Sequence, residues 1–138
     1  MADDGGAGGD QPAKLKGITM TPKSFQGSDF TDFLNLTGEA GDVVSWAGDW
    51  AELDDNAEGG PEVLVQLADD YHYVPVVEVQ LFEPSTGELT RPMNSANLAK
   101  YEGWARDFCE KHEPPYLALG MEVNILFEES HSDYDAFV

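Results

Sequence analysis

The stretch "YLALGMEVN" carries one carboxylate, Glu122, where an apolar run ends, with Gly120 two residues before it and Asn124 two after. Two earlier strand-like stretches hold comparable residues near their ends. "DVVSWAGDW" contains Trp46, Asp49 and Trp50, and "VPVVEVQLFEP" contains Glu78, Gln80 and Glu83. A carboxylic acid pressed among aromatic rings has its charged form disfavoured, so its pKa rises and it can protonate a glycosidic oxygen near neutral pH. Tryptophan faces stack on the apolar faces of sugar rings, while Asp, Asn and Gln side chains bond hydroxyls. Glu122 is therefore the candidate acid/base, with Asn124, Asp49, Trp50, Trp46 and Gln80 as candidate carbohydrate contacts. Plainer roles compete: a strand-end ion pair for Glu122, core packing for the two tryptophans, a loop cap for Asp49, and a polar layer for Glu78 and Gln80.

The elements that must carry these residues alternate. "KLKGITMTP" reads as a first strand, and "SDFTDFLNLTGEAG" as a helix capped by Ser28 or Asp29, with Phe30, Phe33, Leu34 and Thr37 on one face. "DVVSWAGDW" is a second strand, and "PEVLVQLADDYHY" a helix opened by Pro61. "VPVVEVQLFEP" is a third strand. "SANLAKYEGWARDFCEKHE" is a helix with Asn94 and Ser95 as caps, and "YLALGMEVN" is a fourth strand. A loop and the start of another helix come after it. This β-α-β-α-β-α-β order predicts an α/β fold with parallel strands.

An open doubly wound sheet and a (β/α)8 TIM barrel share that order. "TPKSFQGSDF" lacks a Gly-rich phosphate loop, which counts against a nucleotide-binding open sheet. A barrel needs about 250 residues, so residues 15–138 would be its first four βα units, a partial barrel. Strand parity then puts Ala118, Gly120 and Glu122 on one face, pointing into the barrel with Glu122 at its mouth. Leu117, Leu119 and Met121 face the helices. On the third strand Val77, Val79 and Leu81 face helices, leaving Glu78 and Gln80 inward.

Composition narrows the partners. The 138 residues hold 27 acidic against 7 basic side chains, a formal charge of −20, with 41% hydrophobic and 11% aromatic residues. That supports a real core and excludes phosphate-binding surfaces, so neither nucleic acid nor an anionic membrane is an expected partner. Such an acidic excess also fits a salt-rich environment, where screening weakens self-repulsion. Cys109 is the single cysteine, so no internal disulfide forms. His72, His112 and His131 lack metal-ligand spacing; no metal or cofactor is expected. Residues 1–14 read as a disordered, acidic, Gly-rich leader without the features of a signal peptide. Localisation stays open: secreted if an export signal was removed ahead of this stretch, cytoplasmic otherwise.

At "YLALGMEVN" the chain resembles clan A glycoside hydrolases, the (β/α)8 group that includes endo-galactanases, mannanases and cellulases. Gly120, Glu122 and Asn124 match their strand-four motif, and "DVVSWAGDW" and "YEGWARDFCEKHEPPYLALG" are also similar to that group. The resemblance implies a polysaccharide substrate and Glu122 as acid/base. It further implies a nucleophilic Glu at the end of strand seven, outside the four units, so this chain alone would be inactive. Met121 stands where the group usually has an Asn. A non-catalytic carbohydrate-binding or scaffold barrel is therefore the first alternative, and an open α/β acidic interaction domain the second. A half barrel would also self-associate through its exposed sheet edges.

Overall fold

The computed structural model describes residues 14–18, 23–24, 26–57 and 60–138. Nearly all of the expected leader, and the first strand's end at Thr19 to Thr21, lie outside the described residues. The element order is β1 (Gly17–Ile18), α1 (Gly27–Ala40), β2 (Val43–Asp49), a 3-10 turn (Trp50–Leu53), α2 (Gly60–Gln66), α3 (Ala68–Tyr71), β3 (Val74–Gln80), α4 (Ser95–His112), β4 (Tyr116–Met121), α5 (Val123–Glu129) and α6 (His131–Phe137). The strands form one parallel sheet in the order β1-β2-β3-β4. The expected α/β class with a parallel sheet is what the chain adopts.

One face of the sheet is covered. Val44 from β2 and Val77 and Val79 from β3 join Phe33 and Leu34 of α1, Leu64 of α2, and Tyr101, Ala105 and Phe108 of α4 in a single core. The register pairs Val44 with Pro75, Trp46 with Val77 and Gly48 with Val79, so these residues share the helix side. β3 alternates without a break: Pro75, Val77 and Val79 are buried, whereas Val74, Val76, Glu78 and Gln80 are half-exposed. The opposite face, carrying Val43, Val76, Tyr116 and Ala118, has no layer over it among the described residues.

Several local expectations change. α1 starts at Gly27, which takes a positive φ of 51°; Ser28 and Asp29 fall inside its first turn rather than capping it. The second helix is two pieces, α2 and α3, hinged at Leu67. α4 does carry the expected Asn94 cap, whose side chain accepts the Asn97 N–H at 3.0 Å. No loop separates β4 from the next helix, because α5 begins at Val123.

The parity expected for β4 fails at its end. Glu78 pairs with Ala118, but Gln80 pairs with Met121, so two steps on β3 span three on β4. This bulge reverses the faces beyond Ala118. Gly120 turns to the helix side, where an added β-carbon would meet Phe137 Cζ and Val123 Cγ1, each at 3.0 Å. Met121, expected among the helices, instead shares the open face with Gln80. Leu119, also expected against the helices, is 51% exposed.

Candidate functional site

The C-terminal ends of β2, β3 and β4 line up. Asp49 pairs with Gln80 and Gln80 with Met121, one row across the open face, and Glu122 is the next residue along the chain. Above this row the β3–α4 connection folds back as a small flap. Phe82 bridges Leu89, the Glu83 N–H donates to the Glu88 carbonyl at 2.8 Å, and Gly87 turns the chain at φ 71°. Flap and strand ends enclose a cleft of about 360 Å³ lined by Gln80, Phe82, Glu83, Met121, Glu122 and Ile125, with Pro84 and Gly87 at its edge. Its walls mix amide, carboxylate and apolar groups, the composition of a site for a polar ligand with apolar faces.

Glu122 is exposed and holds a left-handed backbone, φ 60° and ψ 31°. That conformation costs a non-glycine residue roughly 1 kcal/mol or more. The first turn of α5 holds it there: the Glu122 carbonyl accepts the Ile125 N–H at 2.8 Å, while Leu126 is buried beneath. The turn therefore keeps Glu122 at the lip of the cleft although the bulge has shifted the strand. Asn124 is exposed in the first turn of α5 and does not line the cleft.

Asp49 has two partners. Its Oδ1 accepts the Ala51 N–H at 3.0 Å, capping the 3-10 turn, and also accepts from the Arg91 guanidinium. The Arg91 Cζ lies 4.8 Å from the Trp50 ring centroid, a cation–π arrangement. Trp50 is only 2% exposed and packs at 5.4 Å on both Tyr101 and Trp104. Its indole is thus a floor for Arg91, not an open stacking platform, and its buried Nε1 has no hydrogen-bond partner among the described residues. Trp46 lies on the helix side, across Gly48 and Gly60; a β-carbon on either glycine would collide with the indole. The sheet separates Trp46 from the row that carries Asp49, Gln80 and Met121.

The structure places Asp49, Gln80 and Glu122 at one end of the sheet, but of the candidates only Gln80 and Glu122 line the cleft; Asp49, Trp46, Trp50 and Asn124 do not. Arg91, Tyr101 and the flap were not among the candidates drawn from sequence. Arg91 is one of only two arginines, in a loop far from Asp49 in the chain, and only folding joins them. The Tyr101 hydroxyl donates to the Leu119 carbonyl, pinning the bulge from the helix side, and its ring stacks on Phe137 with centroids 6.1 Å apart. Burial pushes the Tyr101 phenol well above its ordinary range. Burial, helped by neighbouring Tyr71, pushes Tyr73 up to about 12.

Among the described residues no three His, Cys, Asp or Glu side chains gather as a metal site, and no helix is long and apolar enough to cross a membrane. No protein-family model, curated protein or solved structure matches the chain.

Proposed function

We propose that the chain is the carbohydrate-binding half of a (β/α)8-type barrel related to clan A glycoside hydrolases, with Glu122 as its acid/base. The observation that carries this reading is the Asp49–Gln80–Met121 row with Glu122 at its end, opening on a mixed polar and apolar cleft at the carboxyl ends of parallel strands. The uninterrupted strand order supports a barrel over a doubly wound sheet, whose order reverses at a switch point. The helices gathered on one side of the sheet support it too. A neutral polysaccharide suits the site, because the cleft offers carboxylates and an amide and, among the described residues, no cation lines it. The net charge of −20 supports work in a salt-rich medium.

Binding comes first in the test. Affinity electrophoresis through gels of β-linked galactan, mannan and glucan should retard the chain, and Gln80→Ala should lose most of that retardation. No retardation by any neutral polysaccharide sinks the proposal. Met121 on the ligand side of β4 favours a second reading, a binder that has lost its chemistry. Hydrolysis abolished by Glu122→Gln supports the enzyme, whereas retardation without turnover supports the binder.

A further inference from the structure

Parallel sheets ordinarily have both faces buried. This one has an apolar hollow of about 380 Å³ on its bare face, lined by Leu15, Val43, Val76, Tyr116, Leu117 and Ala118. Leu15, Tyr116 and Leu119 are each about half exposed. Among the described residues β1 and β4 each have a neighbour on one side only.

We propose that a second copy of the chain covers this face. The two sheets would close about a twofold axis into one eight-stranded parallel barrel, with both Glu122 residues at a shared mouth. This deepens the reading above and rests on it for the sugar substrate and for Glu122 as the acid, though not for the contact. Glu122 of the partner subunit stands in place of the strand-seven nucleophile that the resemblance implies. Two free edges that are both parallel fit each other: β4 of one copy beside β1 of the other, twice. Eight is also the strand number at which side chains just fill a barrel. Charge selects the occupant. The chain carries −20 overall, yet among the described residues the bare face holds a single charged side chain, Glu78, between Val43 and the mouth. A basic partner would settle on the acidic outer surface, while another copy meets this one where repulsion is least.

Magnitude sets the conditions. At roughly 4.8 Å between strands and 3.3 Å per residue, the bare face spans about 400 Å² per copy. That is about half of what a stable interface buries per partner. The edges must add backbone pairing, so closure is weak at low salt and tightens once the acidic surfaces are screened.

At the shared mouth one Glu122 carboxyl protonates the glycosidic oxygen as its bond to the anomeric carbon breaks. The carboxylate of Glu122 of the partner subunit takes a proton from the water whose oxygen bonds that carbon. The donor is left ionised and the acceptor protonated, so equivalent residues exchange roles at each turnover.

Sedimentation equilibrium at about 0.1 M and about 1 M KCl, with screening lengths near 10 and 3 Å, measures the contact. The expected result is a salt-promoted dimer, weakened at least about tenfold by Tyr116→Lys. That position is exposed, so the variant should keep its fold. A nitroxide at position 122 of the Cys109→Ser/Glu122→Cys chain should show dipolar broadening in the dimer, removed by dilution with unlabelled chain. A nitroxide on native Cys109, exposed on α4, should not. A monomer at both salt levels overturns the proposal, as does a dimer broadened at Cys109 and not at position 122. A closed dimer that hydrolyses no polysaccharide upholds the closure and removes the hydrolase reading instead.

Discussion

β3 and β4 are neighbours built from similar residues, yet they obey different rules. β3 is paired on both sides, and its buried and half-exposed positions alternate through all seven residues. β4 has one neighbour among the described residues, is exposed or half-exposed throughout, and carries the bulge. A central strand held by two ladders and a core cannot slip by one residue without exposing Val77 and Val79. An edge strand can, because only one ladder and one packed face resist the shift. Regularity here is a property of neighbours, and the bulge sits where the candidate chemistry sits.

The sharpest way to break the contrast is to place the same charge on both strands. Val77→Asp buries a carboxylate at a position with 0% exposure and should cost about 3 kcal/mol or more. Leu119→Asp should change stability by no more than about 0.5 kcal/mol. Urea titrations of the two variants check the difference, and equal effects would mean β4 is as tightly built as β3. Next in size, Gly120→Val forces a side chain against Phe137 and should cost about 1–3 kcal/mol. Its signature is faster amide exchange confined to the β4–α5 junction.

Tyr101→Phe keeps the ring and removes the donor to the Leu119 carbonyl, an expected loss of about 1 kcal/mol. The same phenol gives a test in pH. Unfolded tyrosines ionise near pH 10, whereas Tyr73 folded is pushed up to about 12 and Tyr101 is also held high by burial. Their contribution is complete below about pH 10 and is lost as pH climbs through the folded values, since the unfolded chain releases protons there that the folded chain keeps. Thermal unfolding followed from pH 9 upward should show a decline that flattens in both Tyr73→Phe and Tyr101→Phe. The smallest expected effect is Arg91→Ala. It releases a half-exposed ion pair and a cation–π contact and should cost about 1 kcal/mol or less. A shift in Trp50 fluorescence would sharpen its assignment as the floor beneath Arg91.

Much of the fold is legible in the residues themselves. The alternating Val77 and Val79, the Phe33–Leu34–Thr37 face of α1 and the Asn94 cap are local patterns, and each meets the environment its pattern demands. The candidate site was legible in part. Asp49, Gln80 and Glu122 stand at strand ends because each strand's length is written locally. Trp46 and Trp50 were not separable from sequence, since an indole suits a sugar face and a core equally well. What separates them is the space made by Gly48 and Gly60 for one and by Tyr101, Trp104 and Arg91 for the other.

By itself, the sequence determined which segments pair as parallel strands, where the helices lie and which end of the sheet gathers polar residues. Hydrophobic period and caps act within a few residues, so they can be read one segment at a time. Only the tertiary structure decided that Met121 rather than Gly120 stands beside Gln80, that Arg91 reaches Asp49, and that no described residue layers over one face of the sheet. Those outcomes depend on contacts between residues distant in the chain: the Tyr101 hydroxyl on the Leu119 carbonyl, Phe137 over Gly120, and a flap folded back upon its own strand.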